Sequence, residues 1–218
     1  QNVVYINHIF FHELAPHVVG PPHTVQYIQM VRNPIHRLVS LYYFSIAPGR
    51  ARGLGHRALK RIRSLFNSTS PLSRPGGPIP SLEDCLRAAN DPDQCLAWDR
   101  EPNPAEGALT SRMVRYFCGY DPVCLHPESE EAFSLACEHA VHKYTAVGAL
   151  EHLRQSVRLF RRRLPQFFLG TFETMMRLHA NSVKHRGATR YVSAYIREHH
   201  RNDFRLYNFL VSRLQKQQ

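Results

Sequence analysis

No run of about 18 consecutive apolar residues occurs in this 218-residue chain, so no segment of it is expected to span a membrane. Cys-x-x-Cys pairs are also missing, which removes the commonest zinc frameworks. Internal repeats and low-complexity tracts are absent, so neither a solenoid nor a long linker is expected. Gln1 is followed at once by the apolar Val3-Val4-Tyr5-Ile6, with no initiator Met, basic leader or cleavage site. A chain that opens inside what reads as a strand is expected to be incomplete. Acidic residues are in short supply, 17 against 28 Lys and Arg, for a net charge of +11 to which 14 His add at mildly acidic pH. That surplus favours a polyanionic partner: nucleic acid, acidic lipid, or a sulfated or carboxylated sugar chain.

What is present supports one domain over residues 1–218, since 43% of the chain is hydrophobic and domains average about 150 residues. The five cysteines include two close pairs, Cys85/Cys95 and Cys118/Cys124, each separated by a loop containing Asp and Pro. Such loops suit disulfide-closed turns. Cys137, in an apparent helix, reads as a buried thiol. Asn67-Ser68-Thr69 is a glycosylation sequon in a polar stretch. Together these features point to the secretory pathway.

Val3–Ile6 and Thr24–Val31 read as strands. Asn33 is a cap and Pro34 suits the first turn of a helix carrying Leu38, Leu41, Tyr42 and Ile46, which ends before Pro48-Gly49. This is half of a βαβ unit. Residues 47–80 form a long basic loop with Arg50, Arg52, Arg57, Lys60, Arg61 and Arg63, and with helical turns at 56–66. Ser81–Ala89 is a helix opened by a capping-box pattern. Residues 90–128 read as irregular and disulfide-bearing, apart from a regular segment at Leu109–Phe117. Helices follow at 129–142, 150–163 and 171–179, with a strand at Tyr144–Gly148 and one long final helix at 190–215.

The junction of the second strand with its helix is the most informative place. Ligands of open α/β sheets bind outside the carboxyl ends of strands, and a helix N-terminus favours anions. Arg32 ends the strand and Ser40 lies two turns into the helix; a guanidinium fork and a hydroxyl suit a phosphate monoester. The same residues also serve plain packing in many α/β helices. His8 and His12 have the i, i+4 spacing of a metal pair, but no third ligand accompanies them, and no metal is expected.

The string Arg32-Asn33-Pro34-Ile35-His36-Arg37-Leu38-Val39-Ser40-Leu41-Tyr42-Tyr43-Phe44 resembles the 3′-phosphate-binding segment of Golgi carbohydrate sulfotransferases, most closely the uronyl and heparan sulfate 2-O-sulfotransferase branch. Asn33 stands where that branch usually has Asp. Ser81-Leu82-Glu83-Asp84-Cys85, Tyr116-Phe117-Cys118-Gly119 with Cys124, Tyr144-Thr145-Ala146-Val147-Gly148 and Leu164-Pro165-Gln166-Phe167-Phe168-Leu169-Gly170 match further segments in the same order.

The resemblance implies a P-loop-like sulfotransferase α/β fold with a central parallel sheet flanked by helices. It implies 3′-phosphoadenosine 5′-phosphosulfate (PAPS) as donor and a uronic acid 2-hydroxyl of a glycosaminoglycan as acceptor. In Tyr5-Ile6-Asn7-His8, His8 matches the catalytic base, and Ile6 replaces a second histidine of some members. By the same resemblance Arg32 and Ser40 hold the 3′-phosphate, and Lys184 with Arg186 lies in a basic loop that closes over the nucleotide. Arg50, Arg52 and Arg57 grip the acceptor. The Lys-x-Gly-Ser/Thr-like loop that cradles the 5′-phosphosulfate does not occur in these residues, so the first strand, P-loop and helix are expected upstream of Gln1.

The implied location is the Golgi lumen, on a single-pass type II anchor outside this chain, and a homo-oligomer is left open. A heparin-binding protein with a degenerate nucleotide site uses the same basic loop and is the alternative. Nucleic-acid binding fits the charge alone and is not expected, because no nucleic-acid motif accompanies it.

Overall fold

The computed structural model describes residue 11, residues 25–46, 54–89, 95, 112–168 and 187–217. Two parallel strands, β1 (Tyr27–Val31) and the later β2 (Tyr144–Ala149), form the sheet among these residues. In chain order the helices are α1 (Pro34–Ile46), α2 (Leu54–Arg63), α3 (Leu82–Ala88), α4 (Met113–Cys118) and α5 (Glu130–His142). After β2 come α6 (Leu153–Arg163), α7 (Pro165–Phe168), α8 (Arg190–His199) and α9 (Arg201–Lys216). The register runs from Tyr27 opposite Tyr144 to Val31 opposite Ala149, with an irregularity between Tyr27 and Ile28. The described part is thus a mostly helical α/β structure on a small parallel sheet.

Local chemistry explains most element boundaries. Ser81 and Asp84 cap α3 reciprocally: Asp84 N donates to Ser81 Oγ (3.1 Å) and Ser81 N donates to Asp84 Oδ2 (2.9 Å). Ser129 Oγ accepts from Ala132 N (3.1 Å) to open α5, whose first turn carries Glu130 and Glu131. Ala132, Ala136 and Ala140 then repeat at i, i+4, i+8 and are fully buried. Gly148 is where α6 crosses β2: a Cβ there would lie 2.6 Å from Ser156 Cβ and 2.9 Å from Phe160 Cζ. Gly119, at φ +99°, closes α4, and a Cβ on it would meet Phe11 O at 2.6 Å.

Two apolar clusters result. One joins the sheet to α4, α5, α6 and α9 through Phe117, Tyr144, Val147, Phe160, Leu206 and Leu210. The other joins α1, α2, α3 and α8 through Leu38, Tyr42, Ile46, Ile62, Leu82 and Ile196. Each holds one disulfide, Cys85–Cys95 in the second and Cys118–Cys124 in the first, with Cα–Cα distances of 6.0 and 5.6 Å. Both pairings agree with the sequence reading. Cys137 is a free thiol but only half-buried, and burial pushes its pKa up.

The single helix expected at 190–215 is in fact two, broken at His200 (φ −123°, ψ 43°). Tertiary partners take over the backbone there. Arg112 donates to His199 O, Asn202 Nδ2 donates to Pro127 O (3.2 Å) and Ser129 O (3.0 Å), and Asp203 Oδ1 accepts from Val114 N (2.8 Å). Nothing in local periodicity announces these bonds. The strand expected from Thr24 begins at Tyr27 among the described residues, and the helix expected at 150–163 opens with a 3₁₀ turn, Leu150–His152. The expected strand at 3–6, the helix at 171–179 and most of the Lys184–Gly187 loop lie outside the described residues.

Candidate functional site

Because β1 and β2 are parallel, their carboxyl ends share one edge of the sheet, and the residues that follow them meet there. Arg32 and Asn33 follow β1; Leu150 and Glu151 follow β2. Asn33 Oδ1 accepts from Ile35 N (3.0 Å), the Asx cap its sequence position suggests. The backbone N–H of Asn33 donates to Glu151 Oε1 at 3.0 Å. His36 Nδ1 lies 3.3 Å from the same oxygen, and Tyr207 OH of α9 donates to Glu151 Oε2 at 3.0 Å. One carboxylate therefore ties the β1–α1 turn to β2 and α9.

Burial pulls the Glu151 carboxyl upward, but the Asn33 N–H, its own backbone N–H, the Tyr207 hydroxyl and His36 together hold it below the ordinary glutamate value. Glu151 was not singled out in the sequence, where it reads as the second residue of a helix. The signal that finds it is its place, two residues beyond a strand's carboxyl end.

This arrangement bears on how an anion can be held. Pro34 has no N–H, Ile35 N is bound by Asn33, and Asn33 N is bound by Glu151. Two N–H groups of the turn are thus already taken, one by Glu151 and one by the Asn33 side chain. Arg32 and Ser40 are both half-buried, one at the turn and the other about 10 Å along the axis at the 1.5 Å rise per residue. Among the described residues neither side chain has a hydrogen-bond or ion-pair partner. A guanidinium and a hydroxyl that are not committed elsewhere fit a dianionic phosphate.

Val39 and Tyr43 of α1 border a cavity of about 100 Å³ lined also by Glu83, Gly187, Thr189 and Val192. Gly187 and Thr189, which follow the Lys184–Arg186 loop, thus share this cavity with α1. Tyr42 anchors α1, donating its buried hydroxyl to Pro80 O at 2.9 Å; burial, then Tyr43 and Asp84, push its pKa well up.

The other expected site residues fall differently. His8, Arg50, Arg52 and Lys184 lie outside the described residues, and Arg57 is described only as part of the α2 backbone. Within the basic stretch Arg63 is structural, donating to Arg74 O and Gly77 O at 2.6 Å each, whereas Lys60 is exposed. Asn67 is exposed in a turn, its Oδ1 accepting from Thr69 N at 3.3 Å. Among the described residues no group of three or more His, Cys, Asp or Glu gathers as metal ligands, and no helix is long and apolar enough to cross a membrane.

Comparison with known proteins identifies the family. A model of the sulfotransferase family matches residues 7–210. The chain is 28% identical over 178 residues to the heparan sulfate 2-O-sulfotransferase hst-2 of Caenorhabditis elegans, covering 81% of this chain and 45% of that protein. It is 26% identical to the uronyl 2-sulfotransferase homolog pip of Drosophila melanogaster, over 98% of this chain and 39% of the relative. To human heparan sulfate 2-O-sulfotransferase 1 it is 27% identical, over 67% of this chain and 33% of the relative. The chain thus spans less than half the length of these relatives. The resemblance carried by the Arg32–Phe44 string is borne out over nearly the whole sequence: the chain belongs to the sulfotransferase family.

Proposed function

We propose that this chain is part of a glycosaminoglycan uronyl 2-O-sulfotransferase that takes its sulfuryl group from PAPS. The observation that carries the reading is the β1–Arg32–α1 turn at the carboxyl edge of the sheet. There Arg32 and, further along the helix, Ser40 are half-buried and bind nothing else among the described residues, which supports their use on a phosphate. The names of the relatives support the acceptor class.

Arg32 and Ser40 hold the 3′-phosphate along the flank of α1, and Lys184 adds charge from the late loop. Glu151 keeps the turn from shifting, through the N–H of Asn33. His8 takes the proton from the uronic acid 2-hydroxyl, which is too weak a nucleophile at neutral pH without a base within hydrogen-bond reach. Arg50, Arg52 and Arg57 bind the carboxylates and sulfates of the acceptor chain. When bound, PAPS supplies the sulfuryl group and a phosphate leaving group. The donors that steady that leaving group belong to a P-loop unit upstream of Gln1, completing the P-loop-like sulfotransferase fold. The two closed disulfides and the exposed Asn67 support a Golgi-lumenal setting with a glycan at Asn67.

The test is transfer of labelled sulfate from PAPS to desulfated heparan and dermatan chains by the full-length protein and its His8→Ala variant. Turnover lost in the variant, with affinity for 3′-phosphoadenosine 5′-phosphate (PAP) retained, is the expected result. Undiminished turnover would remove His8 as base. No turnover in either protein, with heparin still bound, would favour a non-catalytic heparin-binding protein.

A further inference from the structure

The opposite edge of the sheet carries a second concentration of charge that the proposed chemistry leaves unused. Three helices end there. α5 finishes at His142 and is followed by Lys143, α6 finishes on Arg161-Arg162-Arg163, and the last turn of α9 carries Arg213 and Lys216. The ends are physically joined: Arg162 donates to Gln217 O, and Arg213 donates to Ala140 O and to Val141 O (3.1 Å). Burial, and after it the like charge of Arg163, lowers the Arg213 pKa, as expected where cations crowd together. α6 carries no acidic residue, and α9 has none after Asp203. Glu138, one turn before His142, is the nearest acid in the sequence of these three helix ends.

Basic residues at helix C-termini offset the helix dipole, but one cation per helix suffices for that. Here six Lys and Arg serve three helices, and Arg161, Arg163 and Lys216 are exposed. Distance separates this surface from the candidate site. Tyr207, which bonds Glu151, and Lys216 are nine residues apart on α9, about 14 Å along the helix; α6 spans about 15 Å between the same two edges. A monosaccharide cannot touch both ends, whereas an extended polymer can.

We propose that the end of the molecule built from Arg161, Arg163 and Lys216 is a second binding surface for sulfated polysaccharide, holding the acceptor chain away from the reacting sugar. The inference rests on the reading of the protein as a glycosaminoglycan-modifying enzyme. It goes beyond that reading by assigning affinity for long chains to residues remote from Arg32. A polysaccharide is favoured over an anionic membrane because only a long flexible acceptor links this surface to the other edge of the sheet.

The experiment compares the full-length protein with the triple variant Arg161→Ala/Arg163→Ala/Lys216→Ala and with an equal-charge control, Arg154→Ala/Arg197→Ala/Arg201→Ala. Elution from immobilised heparin in a salt gradient is measured first, then KM for polymer and for tetrasaccharide acceptor. The cluster variant is expected to elute at clearly lower salt than the control. Its polymer KM should rise about tenfold, three ionic contacts of modest strength, with kcat and tetrasaccharide KM unchanged. Co-elution of the two variants overturns the proposal, as does an equal rise in KM for both acceptors. Loss of binding to phosphatidylserine vesicles with heparin retention unaltered overturns it in favour of a membrane surface. Earlier elution of the cluster variant with no turnover in any of the three proteins upholds the surface and sinks only the sulfotransfer reading.

Discussion

Replacing Glu151 tests whether the β1–α1 turn is held in place from outside its own segment. Glu151→Ala removes the partner of the Asn33 N–H (3.0 Å), of the hydroxyl of Tyr207, itself only 8% exposed, and of the exposed His36 ring (3.3 Å). Hydrogen bonds to a charged group are worth about 1.5–3 kcal/mol, and the exposed side of the turn lets water recover part of that. A net loss of about 2–3 kcal/mol is expected, which in a chain of this size lowers Tm by roughly 5–10 °C. Glu151→Gln keeps an oxygen for Asn33 and a polar group for Tyr207, so about 1 kcal/mol should go. The pH dependence separates the charge from the shape. The carboxyl is held below its ordinary value in the folded protein, so its stabilisation is present above the unfolded pKa and fades as pH falls through the folded one. The gap in Tm between wild type and Glu151→Gln should therefore be full at pH 7 and shrink below about pH 4. Thermal melts of the three proteins across that range decide the matter. An unchanged Tm in Glu151→Ala, or a gap that widens in acid, would refute the reasoning.

Three further outcomes follow from the packing. Gly148→Ala drives a Cβ to 2.6 Å from Ser156 Cβ and should cost about 1–3 kcal/mol, read as a drop in the chemical-denaturation midpoint. Reduction of Cys85–Cys95 or Cys118–Cys124, whose sequence separations are 10 and 6, should cost about 2–3 kcal/mol each, and non-reducing peptide maps should show those pairs and a free Cys137. Asp203→Ala, which strips the acceptor from Val114 N (2.8 Å) and from buried His200, should destabilise by about 3 kcal/mol or more and lower the soluble yield.

Local chemistry was legible in the sequence. The caps at Asn33 and Ser81, the two cysteine pairs and the Arg32–Pro34 junction all depend on residues within about ten positions of one another. What escaped was non-local. The break at His200 is made by Arg112, Pro127 and Ser129, some 70 to 90 positions away, and no periodicity in α8 or α9 encodes it. Glu151 reaches Asn33 across 118 positions because two strands happen to be parallel neighbours. Arg63 looked like one more cation of a solvated loop, and only folding shows its guanidinium bound to two carbonyls. The candidate site was accordingly readable as residues but not as a geometry: the tie from Glu151 to the Asn33 N–H appears only in the fold.

The reading rests most directly on Arg32 and Ser40 recognising a ribose phosphate. Calorimetric titration of the full-length protein with PAP and with 5′-AMP, which lacks only the 3′-phosphate, isolates that interaction. Wild type should prefer PAP by at least tenfold, and Arg32→Ala should bring the two ligands to near-equal affinity, with Ser40→Ala in between. A PAP preference that survives Arg32→Ala undiminished would contradict the assignment.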